Sequence, residues 1–166
     1  MPHILFVCTA NICRSPVGEG LLRHTFQQRG MVGWIVGSAG TCAMAGQQVS
    51  AFSVQAMAER GIDISSHCSR AVNEMLLQEA DLVLCMEWRH VAALRGEFPD
   101  HATKIYTLGQ MSGEKGGVAD PYGSTLENYR RMVAEVSALL EAGFDQIVTL
   151  AGENAARRQT EITNLQ

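Results

Sequence analysis

The sequence predicts an α/β fold in three layers (α/β/α), with a four-stranded parallel sheet between two layers of helices. Four short apolar runs have the pattern of strands that are buried on both faces, and helix-patterned segments separate them. Strands that alternate with helices favour parallel pairing through right-handed crossovers. The expected strand order is the flavodoxin-like 2-1-3-4, which places a ligand site beyond the carboxyl ends of the strands.

The elements follow in order along the chain. Strands are predicted at residues 3–8, 33–41, 81–86 and 104–108, and helices at 15–30, 50–60, 73–80, 87–98 and from 126 onward. Ser15 is the expected N-cap of the first helix, and a glycine-rich loop is expected over 109–124. One domain is predicted for residues 1–150. Residues 151–166 lack apolar periodicity and are predicted to form a C-terminal tail that is frayed or partly helical.

Composition and charge exclude several classes of protein. A formal net charge of -4 gives no basic field for nucleic acid. No apolar stretch is long enough to span a membrane, so no membrane partner is expected. The chain enters its first strand without a charged and apolar leader, which predicts a cytoplasmic protein with no signal peptide.

The cysteines argue against a structural disulfide framework. They are odd in number and include no Cys-x-x-Cys pair: Cys8, Cys13, Cys42, Cys68 and Cys85. This pattern is typical of reduced thiols and does not suit a zinc site. Neither a metal nor an organic cofactor is expected.

The segment from Cys8 to Ser15, CTANICRS, has the composition of an anion-binding turn. A tight turn between a buried strand and a helix N-terminus directs several backbone N–H groups into one concavity, which stabilises the thiolate of a cysteine at its base. Arg14 offers a planar fork that matches two oxygens of a phosphoryl group, and Ser15 can donate a hydrogen bond to the thiolate. Together these groups predict nucleophilic attack on phosphorus.

The sequence VCTANICRSP resembles the signature of the low-molecular-weight protein tyrosine phosphatases, and DPYG at Asp120–Gly123 resembles their Asp-Pro-aromatic loop. The resemblance implies that Cys8 is the nucleophile, Arg14 the phosphate clamp and Asp120 the general acid and base. It implies that the phosphoryl group is bound by the loop residues Thr9, Ala10, Asn11, Ile12, Cys13 and Arg14. The substrate would be a phosphorylated protein, and inorganic phosphate would be the product and an inhibitor.

Further roles are implied by the same resemblance. Asn11, Ser15, Ser38 and His67 would brace the loop, although for His67 taken alone an ordinary structural histidine is the favoured interpretation. Ile12 and Tyr122 would form a wall beside the substrate. Cys13 would form a reversible disulfide with Cys8 under oxidation.

Three departures from the family pattern bear on the substrate. Ala10 replaces the usual glycine, which could crowd the loop or add strain if its φ is positive. Gly123 follows Tyr122 where many tyrosine phosphatases have a second aromatic residue, and this form resembles the protein-arginine phosphatases. Ile12, however, lies where that branch has threonine, and its apolar surface suits an aromatic ring. Phosphotyrosine is therefore the predicted substrate, with phosphoarginine as the alternative.

Two other classes remain as hypotheses. A thiol-dependent arsenate reductase has the same architecture but needs resolving cysteines in a close redox pair and has no use for Asp120. A phosphoprotein-binding module or a redox sensor would be indicated by loss of Cys8, Arg14 or Asp120, and all three are present.

Overall fold

One parallel sheet forms the centre of the molecule. The computed structural model describes residues 1–165. Its strands are β1 (His3–Cys8), β2 (Ile35–Gly40), β3 (Leu82–Cys85) and β4 (Ile105–Thr107). They lie in the order β2-β1-β3-β4, and every neighbouring pair is parallel. The predicted fold class and the strand order 2-1-3-4 are confirmed.

Each of the predicted helices is present. They are α1 (Arg14–Gln28), α2 (Ala51–Ala58), α3 (Glu74–Glu79), α4 (Trp88–Glu97) and α5 (Leu126–Asn164). Two 3₁₀ segments, Pro99–Lys104 and Gly109–Ser112, flank β4. The second of them occupies the start of the predicted glycine-rich loop. None of the helices in the described chain is long and apolar enough to cross a membrane.

The central strand β1 is buried on both faces, which explains its continuous apolar sequence. Ile4 and Phe6 point into the core formed with α1, α2 and α5, and Leu5 and Val7 point into the core formed with α3 and α4. The strand has no exposed face, so its carboxyl end is fixed by packing from above, below and both sides. This rigid end carries Cys8.

Helix α1 starts differently from the sequence prediction. Cys13 is its N-cap residue and makes no side-chain cap, and the helix begins at Arg14. The prediction that Ser15 caps this helix is therefore wrong. The hydroxyl of Ser15 is used instead by groups of the preceding loop, as described below.

Helix α5 continues well beyond residue 151, into the segment predicted to be a frayed or partly helical tail. Ala151 is fully buried, and the side-chain amide of Asn154 donates to the Asp81 carbonyl at 2.8 Å. Arg158 pairs with both carboxylate oxygens of Asp81, at 2.8 and 3.0 Å. These contacts hold the helix against the amino-terminal edge of the sheet. Residue 166, the end of the predicted tail, lies outside the described residues.

Candidate active site

The loop of residues 9–13 joins β1 to α1 at the carboxyl edge of the sheet. Two hydrogen bonds fix it to the segment after β2: Thr41 N–H donates to the Cys8 carbonyl and Cys42 N–H to the Thr9 carbonyl, both at 2.9 Å. In the described chain, the main-chain N–H groups of residues 10–13 donate to no protein acceptor. These free donors fit an anion bound within the loop.

One residue of this loop has a left-handed backbone. Asn11 has a φ of 58°, and no other non-glycine residue among those described has a positive φ. Asparagine tolerates this region better than most residues. Ala10 is not in it, so its methyl group adds no left-handed strain.

The Cys8 thiol lies at the base of the loop and contacts Ser15. Its Sγ is 3.0 Å from the Ser15 hydroxyl oxygen. The side-chain amide of Asn11 donates to that same oxygen at 2.8 Å. The Ser15 oxygen accepts from Asn11, and its own proton can be donated to the sulfur or to the Ala39 carbonyl oxygen, which lies 3.4 Å away. This arrangement places a possible hydrogen-bond donor directly beside the Cys8 sulfur.

Asn11 connects the loop to a second layer of polar groups. Its side chain donates to Ser38 at 3.0 Å and accepts from the Arg70 amide at 3.0 Å, and its carbonyl lies 2.9 Å from Nε2 of His67. The structure thus brings together all four residues expected to brace the loop, namely Asn11, Ser15, Ser38 and His67.

Glu19 is a member of this network that sequence reasoning missed. It accepts from the Ser38 hydroxyl at 2.6 Å and lies 3.8 Å from Nδ1 of His67. Glu19 follows Ser15 by four residues, so both lie on one face of α1. This spacing is the sequence pattern that could have indicated the role of Glu19.

Arg14 is almost completely closed to water, with 1% of its side chain exposed. Its Nη1 donates to the Val118 carbonyl at 2.9 Å and lies 3.3 Å from the Glu87 carboxylate. Its Nη2 lies 3.5 Å from the Asp120 carboxylate. Its Nε has no hydrogen-bond partner in the described chain. A buried guanidinium N–H without an acceptor indicates a position for an oxygen that is not part of the protein.

The loop that carries Asp120 and Tyr122 borders the same pocket. The Asp120 side chain is 37% exposed, and its Oδ1 accepts from the Tyr122 amide at 3.1 Å. Tyr122 is 70% exposed. The pocket encloses about 360 Å³ and is lined by Cys8, Thr9, Ala10, Ile12, Cys13, Arg14, Cys42, Met44, Gln47, Asp120 and Tyr122. Cys42, Met44 and Gln47, from the turn after β2, were not predicted.

Cys13 occupies a different environment from Cys8. It is buried, and its Sγ lies 3.4 Å from the hydroxyl of Tyr129, which accepts from Ser50 at 3.2 Å. Burial raises the pKa of the Cys13 thiol. Both cysteines are free thiols in the structure, and the disulfide between them stays a prediction.

Comparisons with known proteins identify the family of this chain. The family described as low molecular weight phosphotyrosine protein phosphatase matches residues 3–157. The chain belongs to this family. As a low-molecular-weight phosphatase it resembles the enzyme of that name from T. tengcongensis, whose crystal structure matches with a TM-score of 0.84 and 38% identity, over 88% of this chain and 99% of that one.

Relatives within the family carry two different names. A protein-arginine-phosphatase of Bacillus subtilis is 34% identical over 138 residues, which make up 82% of this chain and 91% of that protein. A probable low molecular weight protein-tyrosine-phosphatase of Ralstonia nicotianae, EpsP, is 33% identical over 147 residues, 89% of this chain and 97% of that protein. Sequence identity of this level does not distinguish a phosphotyrosine substrate from a phosphoarginine substrate. The distinction must come from the residues of the pocket.

Proposed function

We propose that this low-molecular-weight phosphatase hydrolyses phosphotyrosine in proteins through a phosphocysteine intermediate on Cys8. The observation that carries the proposal is the pairing of Cys8 with the free Nε–H of Arg14 at the floor of one pocket. A thiolate nucleophile and a fixed cationic donor are what transfer of a phosphoryl group requires. Neither group needs a metal ion for this chemistry.

The first chemical step transfers the phosphoryl group to sulfur. The Cys8 thiolate attacks phosphorus as the bond from phosphorus to the tyrosyl oxygen breaks. Asp120 donates its proton to that oxygen, which leaves as the tyrosine hydroxyl. The loop amides and Arg14 hold the three equatorial oxygens where negative charge is spread in the transition state.

The second step returns the enzyme to its starting state. Asp120, now ionised, takes a proton from a water molecule whose oxygen attacks the phosphocysteine. The bond from phosphorus to sulfur breaks, and inorganic phosphate leaves. The thiolate is regenerated next to the Ser15 hydroxyl, 3.0 Å away. Phosphate occupies the same site as the substrate, so it inhibits as a product.

The walls of the pocket support an aromatic substrate. Ile12 and Tyr122 line the pocket together with Met44, which gives apolar surface above the phosphate site. Such surface favours a planar apolar ring over a charged guanidinium group. Phosphoarginine is the second candidate, because the partly exposed carboxylate of Asp120 could bind a guanidinium and because Gly123 leaves the wall open beside Tyr122.

The arsenate reductase hypothesis lacks support from the cysteines. A resolving cysteine must reach the nucleophile as a thiolate. Cys85 is fully buried in β3, and burial raises its pKa. Cys42 lines the same pocket as Cys8, but it and Cys68 form no disulfide in the described chain, so no resolving pair is present. A binding module without activity would not need Asp120 at the pocket.

We infer that the protein acts in the cytoplasm on phosphorylated proteins. Its five free thiols suit a reducing compartment.

The experiment that tests the proposal compares initial rates on a phosphotyrosine peptide and a phosphoarginine peptide of matched sequence. Cys8→Ala serves as the blank. We expect faster turnover of phosphotyrosine and no turnover by the variant. Faster turnover of phosphoarginine would transfer the assignment to the second candidate, and activity that survives in Cys8→Ala would contradict covalent catalysis by Cys8.

A further inference from the structure

The pocket contains a side-chain hydroxyl that the mechanism above does not use. Thr9 lines the pocket, and its Oγ1 lies 2.8 Å from Nε2 of His90 on helix α4. The same oxygen receives Nη2 of Arg14 at 3.4 Å and Nη2 of Arg89 at 3.3 Å. Three nitrogen groups thus converge on one hydroxyl oxygen.

Local geometry fixes the proton on the His90 ring. Nδ1 of His90 accepts the Glu87 amide proton at 3.2 Å, and the Glu87 carboxylate accepts the amide of His90 in return, which forms a capping box at the start of α4. A ring nitrogen that accepts carries no proton, so the proton of the neutral ring is on Nε2. His90 is 2% exposed, and burial together with the Arg14 charge lowers its pKa to about 4.

The hydroxyl proton of Thr9 is therefore left free. Nε2–H of His90 and both guanidinium groups can only donate, so none of them can accept the Thr9 proton, and the two lone pairs of the Thr9 oxygen accept from at most two of them at a time. No acceptor for the Thr9 proton lies within hydrogen-bond distance anywhere in residues 1–165. The Nε–H of Arg14 is also without an acceptor and belongs to the same pocket. Two donors without a protein acceptor in the pocket that contains Cys8 fit the oxygens of a bound phosphoryl group.

We propose that the Thr9 hydroxyl is an additional donor to the phosphoryl oxygens, and that His90 is the positioning residue that turns the hydroxyl proton toward them. The inference rests on the proposed function, since it needs a phosphoryl group held above Cys8. A donor whose orientation is fixed before the substrate binds needs no rearrangement in the transition state. The role of the Thr9 side chain is separate from that of the loop amides.

The first test removes only the hydroxyl. Thr9→Val keeps the shape of the side chain, and Thr9→Ser keeps its hydroxyl. The measurements are calorimetric binding of inorganic phosphate, and kcat and KM on the phosphotyrosine peptide. Because a hydrogen bond to a charged group is lost, we expect Thr9→Val to bind phosphate about tenfold more weakly than Thr9→Ser and to have a lower kcat.

The second test asks whether His90 acts through Thr9. In His90→Asn the amide oxygen can replace Nδ1 in the capping box, while the shorter side chain no longer reaches Thr9, so the helix start is preserved. We expect this variant to weaken phosphate binding in the wild-type background and to have little further effect in Thr9→Val. Thermal unfolding of each variant checks that it is folded.

The outcomes separate this inference from the proposed function. A wild-type protein that turns over the peptide, alongside a folded Thr9→Val variant with the same phosphate affinity and kcat, would overturn only the role of Thr9. Losses that add fully in the double variant would overturn the role of His90 as a positioning residue. A wild-type protein that neither binds phosphate nor hydrolyses the peptide would overturn both proposals.

Discussion

Arg14 has a charge that the fold must compensate, because water is excluded from its side chain. Glu87 at 3.3 Å and Asp120 at 3.5 Å supply opposite charge. Burial raises the pKa of Glu87, but hydrogen bonds and charges from Arg89 and Arg14 outweigh this and hold the pKa below its usual value. Glu87 is thus ionised at neutral pH, and Arg14 keeps an anionic partner when Asp120 takes up a proton.

Asp120→Asn tests the separation between binding and proton transfer. The amide cannot supply or accept the proton, so we expect kcat to fall by about 10²–10⁴. Phosphate affinity should change far less, because Arg14 and the loop amides remain. The measurements are the rate with the phosphotyrosine peptide and calorimetric binding of phosphate. Equal losses in both would show that Asp120 acts mainly in binding.

His90 predicts a pH dependence of stability. Its pKa is about 4 in the folded chain, against about 6.5 for an unperturbed histidine. The unfolded chain therefore binds more protons in this window, and the free energy of unfolding falls as the pH drops from about 6.5 to 4. We expect His90 to contribute a loss of about 2 kcal/mol between pH 7 and pH 5.

Urea unfolding at these two pH values measures the effect, with His90→Asn as the comparison. The variant lacks the titrating ring, so it should lose less stability on acidification than the wild type. An identical pH dependence in both proteins would show that other groups cause the loss.

The sequence could predict the residues that we propose to react, but not the residues that we propose to orient them. Cys8, Arg14 and Asp120 have side chains whose chemistry points to phosphate esters, and they lie in recognisable local patterns. His90 lies 81 residues from Thr9, and nothing in MEWRHV shows which loop the ring will face. Contacts of this kind depend on the packing of α4 against the sheet. The same holds for the main-chain amide of Arg70, which donates to the side-chain oxygen of Asn11.

At the scale of elements, the end of β2 approaches the loop of residues 9–13 closely. A Cβ atom on Gly40 would lie 2.4 Å from the Thr9 carbonyl oxygen and 3.0 Å from the Asn11 amide nitrogen. Both neighbours are backbone atoms of the loop, so they cannot move aside as a flexible side chain would. Glycine at this position lets the strand and the loop pack together.

Gly40→Ala should therefore damage activity and stability together. We expect a loss of about 1–3 kcal/mol in the free energy of unfolding and a lower kcat/KM, because the loop must shift. Gly96→Ala in α4 is the matched control, since its Cβ would meet nothing within 4 Å and alanine favours a helix. Urea unfolding and peptide kinetics measure both. A Gly40→Ala protein with wild-type values would show that the loop tolerates the displacement.

The presence and type of each helix and strand were easier to predict than the residues at which they begin and end. The apolar pattern located each strand and helix, because burial imposes that pattern. The start of α1 was misplaced by the assumption that Ser15 would cap it. Serine is a common N-cap residue. Here, however, the Ser15 hydroxyl lies 3.0 Å from the Cys8 sulfur, and the helix begins at Arg14 without a side-chain cap. Local propensity cannot reveal such a tertiary requirement.

At the scale of the whole molecule, α5 connects the two edges of the sheet. It begins after the Asp120 loop and reaches Asp81 at the opposite edge. Its last turns are polar, so apolar periodicity could not predict them. They are stabilised by Asn154 and Arg158, whose partners come from a distant part of the chain. The sequence predicted the layers of the fold but not the contacts of Asn154 and Arg158 with Asp81.

Arg158→Ala should lower stability without changing catalysis. The buried Asp81 carboxylate would keep its bond from the His3 amide at 2.9 Å but lose its ionic partner. We expect the free energy of unfolding to fall by about 1–3 kcal/mol and kcat to stay the same, because the pocket lies at the other edge. Arg157→Ala, at an exposed position, is the control. A reduced kcat in a folded Arg158→Ala protein would contradict this separation.

The length of α5 has a practical consequence for handling the protein. Its 39 residues extend about 58 Å at 1.5 Å per residue. Helix α5 begins near the entrance of the pocket and ends far from it. A fluorophore, an affinity tag or a solid support attached at the last turn of α5 would therefore leave the entrance open to large polypeptides. An immobilised Asp120→Asn protein attached in this way could serve as a trapping reagent for its own substrates.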